Sequence, residues 1–185
     1  MITLIKNLRG KILDIGGGGE GIIGRLYTSQ VTAIDIHQDE LNEAPTGFEK
    51  ILMDATQLKF QDNSFEHVTS FYTLMFMNTD DQQNAILEAA RVLKNGGELH
   101  IWDCNILSAY PNPFCVDVTI QLPNEQICTT YGVIKMDSQD ENTITAMCLL
   151  CGLTLVSREH SKYGFYLHFR KPINFQFINP IKGNF

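Results

Sequence analysis

Four consecutive glycines, Gly16 to Gly19, lie between Asp14 and the pair Glu20-Gly21, directly after the short apolar run Lys11–Ile15. Glycines at the end of a strand let backbone N–H groups approach a ligand at a helix N-terminus without interference from a Cβ. Gly16, Gly18 and Gly21 satisfy G-x-G-x-x-G, which on its own is weak evidence for a dinucleotide. Charge separates the candidate ligands. A dinucleotide would set a doubly anionic pyrophosphate beside the carboxylates of Asp14 and Glu20, which is unfavourable. A ligand with no phosphate, carrying a sulfonium and an α-ammonium, would be attracted by the same two carboxylates.

Further along the chain, Asp35 closes VTAID and Asp54 stands in ILMDATQLKF. Together with the turn, these stretches resemble the class I S-adenosylmethionine-dependent methyltransferases, whose first motif is an acidic residue followed by G-x-G-x-G. Asp14, Gly16 and Gly18 match, with Gly17 between them; Glu20 stands at the third glycine, and Gly21 comes one place later. The resemblance implies that Asp35 grips the ribose hydroxyls, that Ile36 lines the adenine, and that Asp54 and the Ala55 N–H meet the adenine edge. NSFEHVTSFYTLMFM resembles the fourth-strand motif, in which the Phe71 backbone carbonyl would face the methionine ammonium. EAARVLKNGGEL (Glu88–Leu99) resembles the helix-to-fifth-strand stretch, with Asn95 where Pro is usual. S-adenosylmethionine is thus the implied cofactor and a small molecule the methyl acceptor.

Methyl transfer from a sulfonium needs the acceptor held in line, and a base only if the nucleophile must lose a proton. A dedicated catalytic residue is therefore not required, and none is assigned. Tyr72, Asp103, Tyr110 and His160 are the candidates near the expected acceptor side. SFYTL stands where an amino-methylating enzyme would carry [N/D/S]-P-P-[F/Y/W], and no zinc or magnesium spacing is evident. Two other readings stay open: a nicotinamide-dependent oxidoreductase using the same turn, and a non-catalytic adenosylmethionine-binding module. Aminopropyl transfer is remoter, because Asp14 and the Phe71 carbonyl suit the whole methionine end.

The elements that must position these residues alternate. Strands are expected over Lys11–Ile15, Val31–Ile36, Phe48–Met53, Phe65–Tyr72 and Glu98–Trp102. Helices are expected after the glycine turn, over Gln38–Glu43, from Thr79 (a capping box with Gln82) to Leu93 with a stop at Gly96-Gly97, and near Gln139–Cys151. Alternation implies right-handed crossovers and a doubly wound, mainly parallel seven-stranded α/β sheet, with Leu153–Arg158 and Tyr163–Arg170 as its last strands joined through His160-Ser161-Lys162. The segment 103–137 breaks the rhythm: Phe114–Leu122 and Gln126–Ile134 read as a hairpin around Pro123-Asn124. Its stripe of Val116, Val118 and Ile120 needs a partner, so the hairpin either walls the acceptor side or pairs with a second copy as a homodimer. Because Asp14, Asp35 and Asp54 lie elsewhere, replacing residues 113–135 by a short loop is expected to leave cofactor binding largely intact. Only about ten residues precede the first strand, so the lid that related enzymes carry there is expected to be missing or borrowed. The closing KPINFQFINPIKGNF has no period, and its aromatics read as a patch on the core's edge.

The chain's 185 residues fit a single domain, 1–185. With 14 Lys and Arg against 21 Asp and Glu, its charge of −7 disfavours nucleic acid and anionic lipid as partners. No apolar run is long enough to span a membrane, and Lys6, Arg9 and Lys11 interrupt any leader-like start, so a cytoplasmic location is expected. The five scattered cysteines suit a reducing compartment, and Cys148 and Cys151, a C-x-x-C on a helix end, read as packing residues.

Overall fold

The apolar runs form strands and the intervening stretches form helices in the order that the alternation predicts; the computed structural model describes residues 1–173. After a two-residue strand β1 (Ile2–Thr3), β2 (Ile12–Ile15) leads into α1 (Ile22–Tyr27), β3 (Val31–Asp35) into α2 (Gln38–Glu43), and β4 (Glu49–Leu52) follows. Then come β5 (Phe65–Phe71), α3 (Thr79–Val92), β6 (Leu93–Asp103), the hairpin β7 (Phe114–Gln121) and β8 (Gln126–Val133), α4 (Glu141–Leu150), β9 (Thr154–Ser161) and β10 (Gly164–Arg170).

Seven strands form one sheet in the order β4-β3-β2-β5-β6-β10-β9. The β2/β3, β3/β4, β2/β5 and β5/β6 pairs are parallel, and β10 runs antiparallel to both β6 and β9. From β2 the chain winds outward one way through β3 and β4, then returns to the other side at β5. Such a switch point leaves a crevice at the carboxyl ends of the strands, where open α/β sheets bind ligands.

Both faces are covered, as parallel strands require. On one face Leu13, Val68, Leu99 and Phe169 meet Ile86 and Ala89 of α3 and Ile144 and Cys148 of α4. Cys148 and Cys151 are buried free thiols in that core, as expected of packing residues. On the other face Ile12, Ala33 and Phe71 meet Ile23 and Leu26 of α1 and Val118 and Ile120 of the hairpin.

Several boundaries differ from the expectation. The hairpin is part of a second, three-stranded sheet, β1-β7-β8, with β1 parallel to β7. Val118 and Ile120 are 1% and 0% exposed against this chain's own core, so the reason for expecting a homodimer falls away. The cap of α3 is Asn78, not Thr79: its side chain accepts from the Asp81 N–H at 2.9 Å, while Thr79 bonds Asp137. A cap of this kind contributes about 1 kcal/mol. The glycines that were expected to separate α3 from the next strand lie inside β6, which begins at Leu93 and is bulged against β5 between Phe65 and His67. His160 lies within β9 rather than in the turn after it. The aromatics of the closing segment fall outside the described residues.

Candidate functional site

A cleft of about 1000 Å³ opens at the carboxyl ends of β2, β3 and β5. Asp14, Gly16, Gly17, Gly18, Asp35, Ile36, Asp54, Ala55 and Phe71, the residues singled out in the sequence, all line it. The turn after β2 is pinned from beneath: the Gly16 and Gly17 N–H groups donate to the Ile34 carbonyl at 2.9 and 3.0 Å, and the Gly19 N–H donates to the Glu40 carbonyl at 2.8 Å. Gly16, Gly19 and Gly21 have φ of 70°, 55° and 55°, a left-handed conformation that side chains resist. A Cβ at Gly17 would lie 2.6 Å from Asp14 Oδ2, and one at Gly18 would lie 2.8 Å from Asp35 Oδ2. The space beside these carboxylates therefore exists only because both residues are glycine.

Asp35 accepts the His37 N–H through Oδ1 at 2.9 Å. Asp54 opens a loop in which its Oδ1 accepts from the N–H and the hydroxyl of Thr56, each at 2.8 Å. α3 holds that loop from behind, where Glu88 accepts the Leu58 N–H and Arg91 donates to the Leu58 and Phe60 carbonyls. The Glu88–Leu99 stretch thus bears on the cleft indirectly, by fixing the loop that carries Asp54 and Ala55. The Phe71 carbonyl accepts from the Thr73 hydroxyl at 3.3 Å, which also donates to the Ile15 carbonyl at 3.0 Å and ties the ends of β5 and β2 together.

The cleft is acidic. Glu20, Glu40 and Glu43 line it beside Asp14, Asp35 and Asp54, and among the described residues no Lys or Arg does. Burial, with the neighbouring acids Asp35, Glu43 and Glu20 adding to it, pushes the Glu40 carboxyl above its usual range. Asp14 is 2% exposed. Its carboxyl is pushed up to about 7 by burial; the 2.7 Å hydrogen bond from Thr69 opposes this and the charge of Asp35 adds to it. A cation in the cleft would favour the ionised form, so cation binding and loss of this proton are linked.

Two results follow for the pH dependence. For the free protein, a raised carboxyl pKa contributes stability that is fully present below the unfolded value of 3.8 and is lost as pH rises through about 7, so chemical denaturation should show a decline over that window. A bound sulfonium-ammonium ligand should reverse it: its affinity falls by up to about tenfold per pH unit below about 7, with proton release in calorimetry, and Asp14→Asn removes that dependence.

The β7/β8 hairpin roofs the cleft through Thr130, Tyr131 and Gly132. The Tyr131 ring stacks on Tyr72 at 4.8 Å and 13°. Its hydroxyl donates to Glu20 at 3.4 Å, and the Thr129 hydroxyl donates to the same carboxylate. Glu20, at the motif's third glycine position, thus ties the turn to its own roof, and the hairpin walls the cleft, the first of the two expected roles. Of the acceptor-side candidates only Tyr72 lines the cleft, with its hydroxyl donating to the Tyr163 carbonyl at 2.7 Å. Asp103 is wholly buried and accepts from Met75, Cys104 and Gln139. His160 Nδ1 lies 3.1 Å from Glu141 Oε2, away from the cleft, and Tyr110 is 61% exposed outside it. Sequence reading missed Glu40, Thr73 and Tyr131. Glu40 had a signal, an acid one helical turn after the second strand; the other two are brought in by tertiary packing alone.

The switch-point cleft, its glycine turn and the strand-end acids resemble those of the class I S-adenosylmethionine-dependent methyltransferases, and residues 13–101 match the model of the family described as "Methyltransferase domain". The match covers just under half of the chain. A ubiquinone/menaquinone biosynthesis C-methyltransferase of Desulfotalea psychrophila is 37% identical over 97 residues, covering 48% of this chain and 39% of that protein. O-methyltransferase rstn1 of Aspergillus nomiae is 29% identical over 122 residues, covering 59% and 53%. The chain spans about half or less of the length of the curated relatives it matches. Among solved structures, a SAM-dependent methyltransferase of Methanosarcina mazei has a TM-score of 0.63 at 19% identity, covering 90% of this chain and 95% of that one. One from Mesorhizobium loti has a TM-score of 0.64 at 14% identity, covering 91% and 94%. These two likenesses carry the fold.

Proposed function

We propose that this chain transfers a methyl group from S-adenosylmethionine to a small molecule. One observation carries the reading: a single cleft gathers the glycine turn and the acids Asp14, Asp35 and Asp54, with no Lys or Arg lining it among the described residues. A pyrophosphate would meet these carboxylates with no Lys or Arg among the described residues to offset them. The bound cofactor would supply an electrophilic methyl on a sulfonium.

The chain's own residues hold and shield. Asp35 would accept from the ribose hydroxyls, Asp54 and Ala55 would meet the adenine edge beside Ile36, and Asp14 with the Phe71 carbonyl would face the ammonium. Gly16, Gly17 and Gly18 leave room for this. Tyr72 and Tyr131, with Phe76 and Met77, form the apolar side of the cleft, which excludes water and suits an acceptor with an apolar face. Burial holds both phenols above their ordinary range, so neither is a base at neutral pH.

The net charge of −7 supports a small molecule over nucleic acid or an anionic membrane, and no described helix is long and apolar enough to cross a bilayer. The five free cysteines support a cytoplasmic location. The test incubates the chain with methyl-labelled S-adenosylmethionine and fractionated metabolite extract. S-adenosylhomocysteine should form only with the fraction that holds the acceptor. Saturable cofactor binding with no turnover in any fraction would leave a binding module instead.

A further inference from the structure

Away from the cleft, the pleat places four polar side chains on one face of three adjacent strands. His67 of β5 lies opposite Glu98 of β6, and His168 of β10 lies opposite His100, which shares the face of Glu98 two residues on. His67 Nδ1 and His100 Nε2 are each 3.7 Å from Glu98 Oε2, and His168 Nε2 is 3.5 Å from Oε1. None of these three ring nitrogens has a hydrogen-bond partner, although all are buried. His100 is 4% exposed.

The other nitrogens are engaged. The His67 ring bonds the Arg9 carbonyl, an acceptor that takes its N–H and leaves Nδ1 as a bare lone pair in the neutral ring. His100 Nδ1 is 2.9 Å from the Tyr166 hydroxyl, which can accept its proton and leave Nε2 likewise bare. The unpartnered nitrogens of His67 and His100 thus face one carboxylate oxygen from 3.7 Å, beyond normal hydrogen-bond length.

We propose that His67, Glu98 and His100 bind a divalent transition metal ion of the zinc type, with His168 as the adjoining imidazole. The donor atoms lie within 4.8 Å of one another. Tetrahedral zinc with bonds near 2.0–2.1 Å separates its ligands by about 3.3 Å, so closure takes shifts of a few tenths of an ångström to about an ångström. Two imidazoles and a carboxylate on zinc leave an open position. Arg170 donates to Glu98 Oε1 at 2.7 Å and orients the carboxylate while leaving Oε2 to the metal. The Arg9 carbonyl and the Tyr166 hydroxyl hold the His67 and His100 rings in place in the same way. His100 also borders a second cavity of about 290 Å³ beneath the N-terminal segment. None of the ligands lines the cofactor cleft, so this site is separate from methyl transfer.

The experiment titrates the chelator-stripped chain, with exposed Cys115 and Cys128 changed to Ser, with zinc chloride by calorimetry. One equivalent should bind, and Glu98→Gln and His67→Gln should each weaken it by more than about a hundredfold. Imidazole nitrogen NMR of the chain with all histidines intact gives a reading that needs no ligand variant: His67 Nδ1 and His100 Nε2 should shift on zinc addition. No stoichiometric uptake, uptake without those shifts, or unchanged affinity in a folded Glu98→Gln chain would overturn the proposal.

Discussion

Gly16→Val should reduce S-adenosylmethionine affinity by at least about a hundredfold while leaving the chain folded, because a left-handed φ costs a branched residue about 1–2 kcal/mol before any clash is counted. The clash is severe: a Cβ at Gly16 would lie 2.2 Å from Thr73 Cγ2 and 2.3 Å from its hydroxyl. Thr73 would have to leave the Ile15 and Phe71 carbonyls, so the ends of β2 and β5 would part where the cleft is built. The sheet itself is anchored elsewhere, by Leu13, Val68 and Leu99 against α3 and α4. Calorimetry paired with circular dichroism separates lost binding from lost fold. Cys148→Ala is the matched control, a core truncation far from the turn that should cost stability and leave affinity unchanged.

Asp35→Ala should weaken the cofactor by about 1.5–3 kcal/mol, roughly ten- to a hundredfold, since two ribose hydroxyls would lose a charged acceptor. Asp35 ends β3 at the cleft, and the Gly18 position beside it is open only for want of a Cβ. The substitution also frees the His37 N–H, a contact at the exposed start of α2 that matters little to the core. An affinity within about twofold of the parent would remove Asp35 from the ribose site.

The sheet was legible because its central strands β2, β3 and β5 are largely buried and its strands read as short β-rich runs; α2 occupies Gln38–Glu43, where a short helix was expected. The motif acids were legible because each ends a strand or follows one, so chain order alone carries them to the crevice. Local signals failed where a tertiary contact decides. Nothing in two residues of β1 announces a parallel pairing with β7. The helix-to-strand boundary misled because Gly96 and Gly97 usually stop a helix, whereas here Gly97 lies where a Cβ would be 2.9 Å from the Glu66 carbonyl, inside the bulged pairing. The roof over the cleft depends on Glu20 meeting Thr129 and Tyr131 across more than a hundred residues of chain. The His67, Glu98 and His100 cluster left no trace in the spacing, because strand register and not sequence neighbourhood assembles it.

The central claim, that the acidic glycine-turn cleft selects a sulfonium cofactor over a pyrophosphate one, is tested most directly by calorimetric titration of the same chain at pH 8 with S-adenosylmethionine and, separately, with NAD. Saturable one-to-one binding of S-adenosylmethionine with no binding of NAD is the predicted result. Saturable NAD binding in the absence of any for S-adenosylmethionine would contradict it.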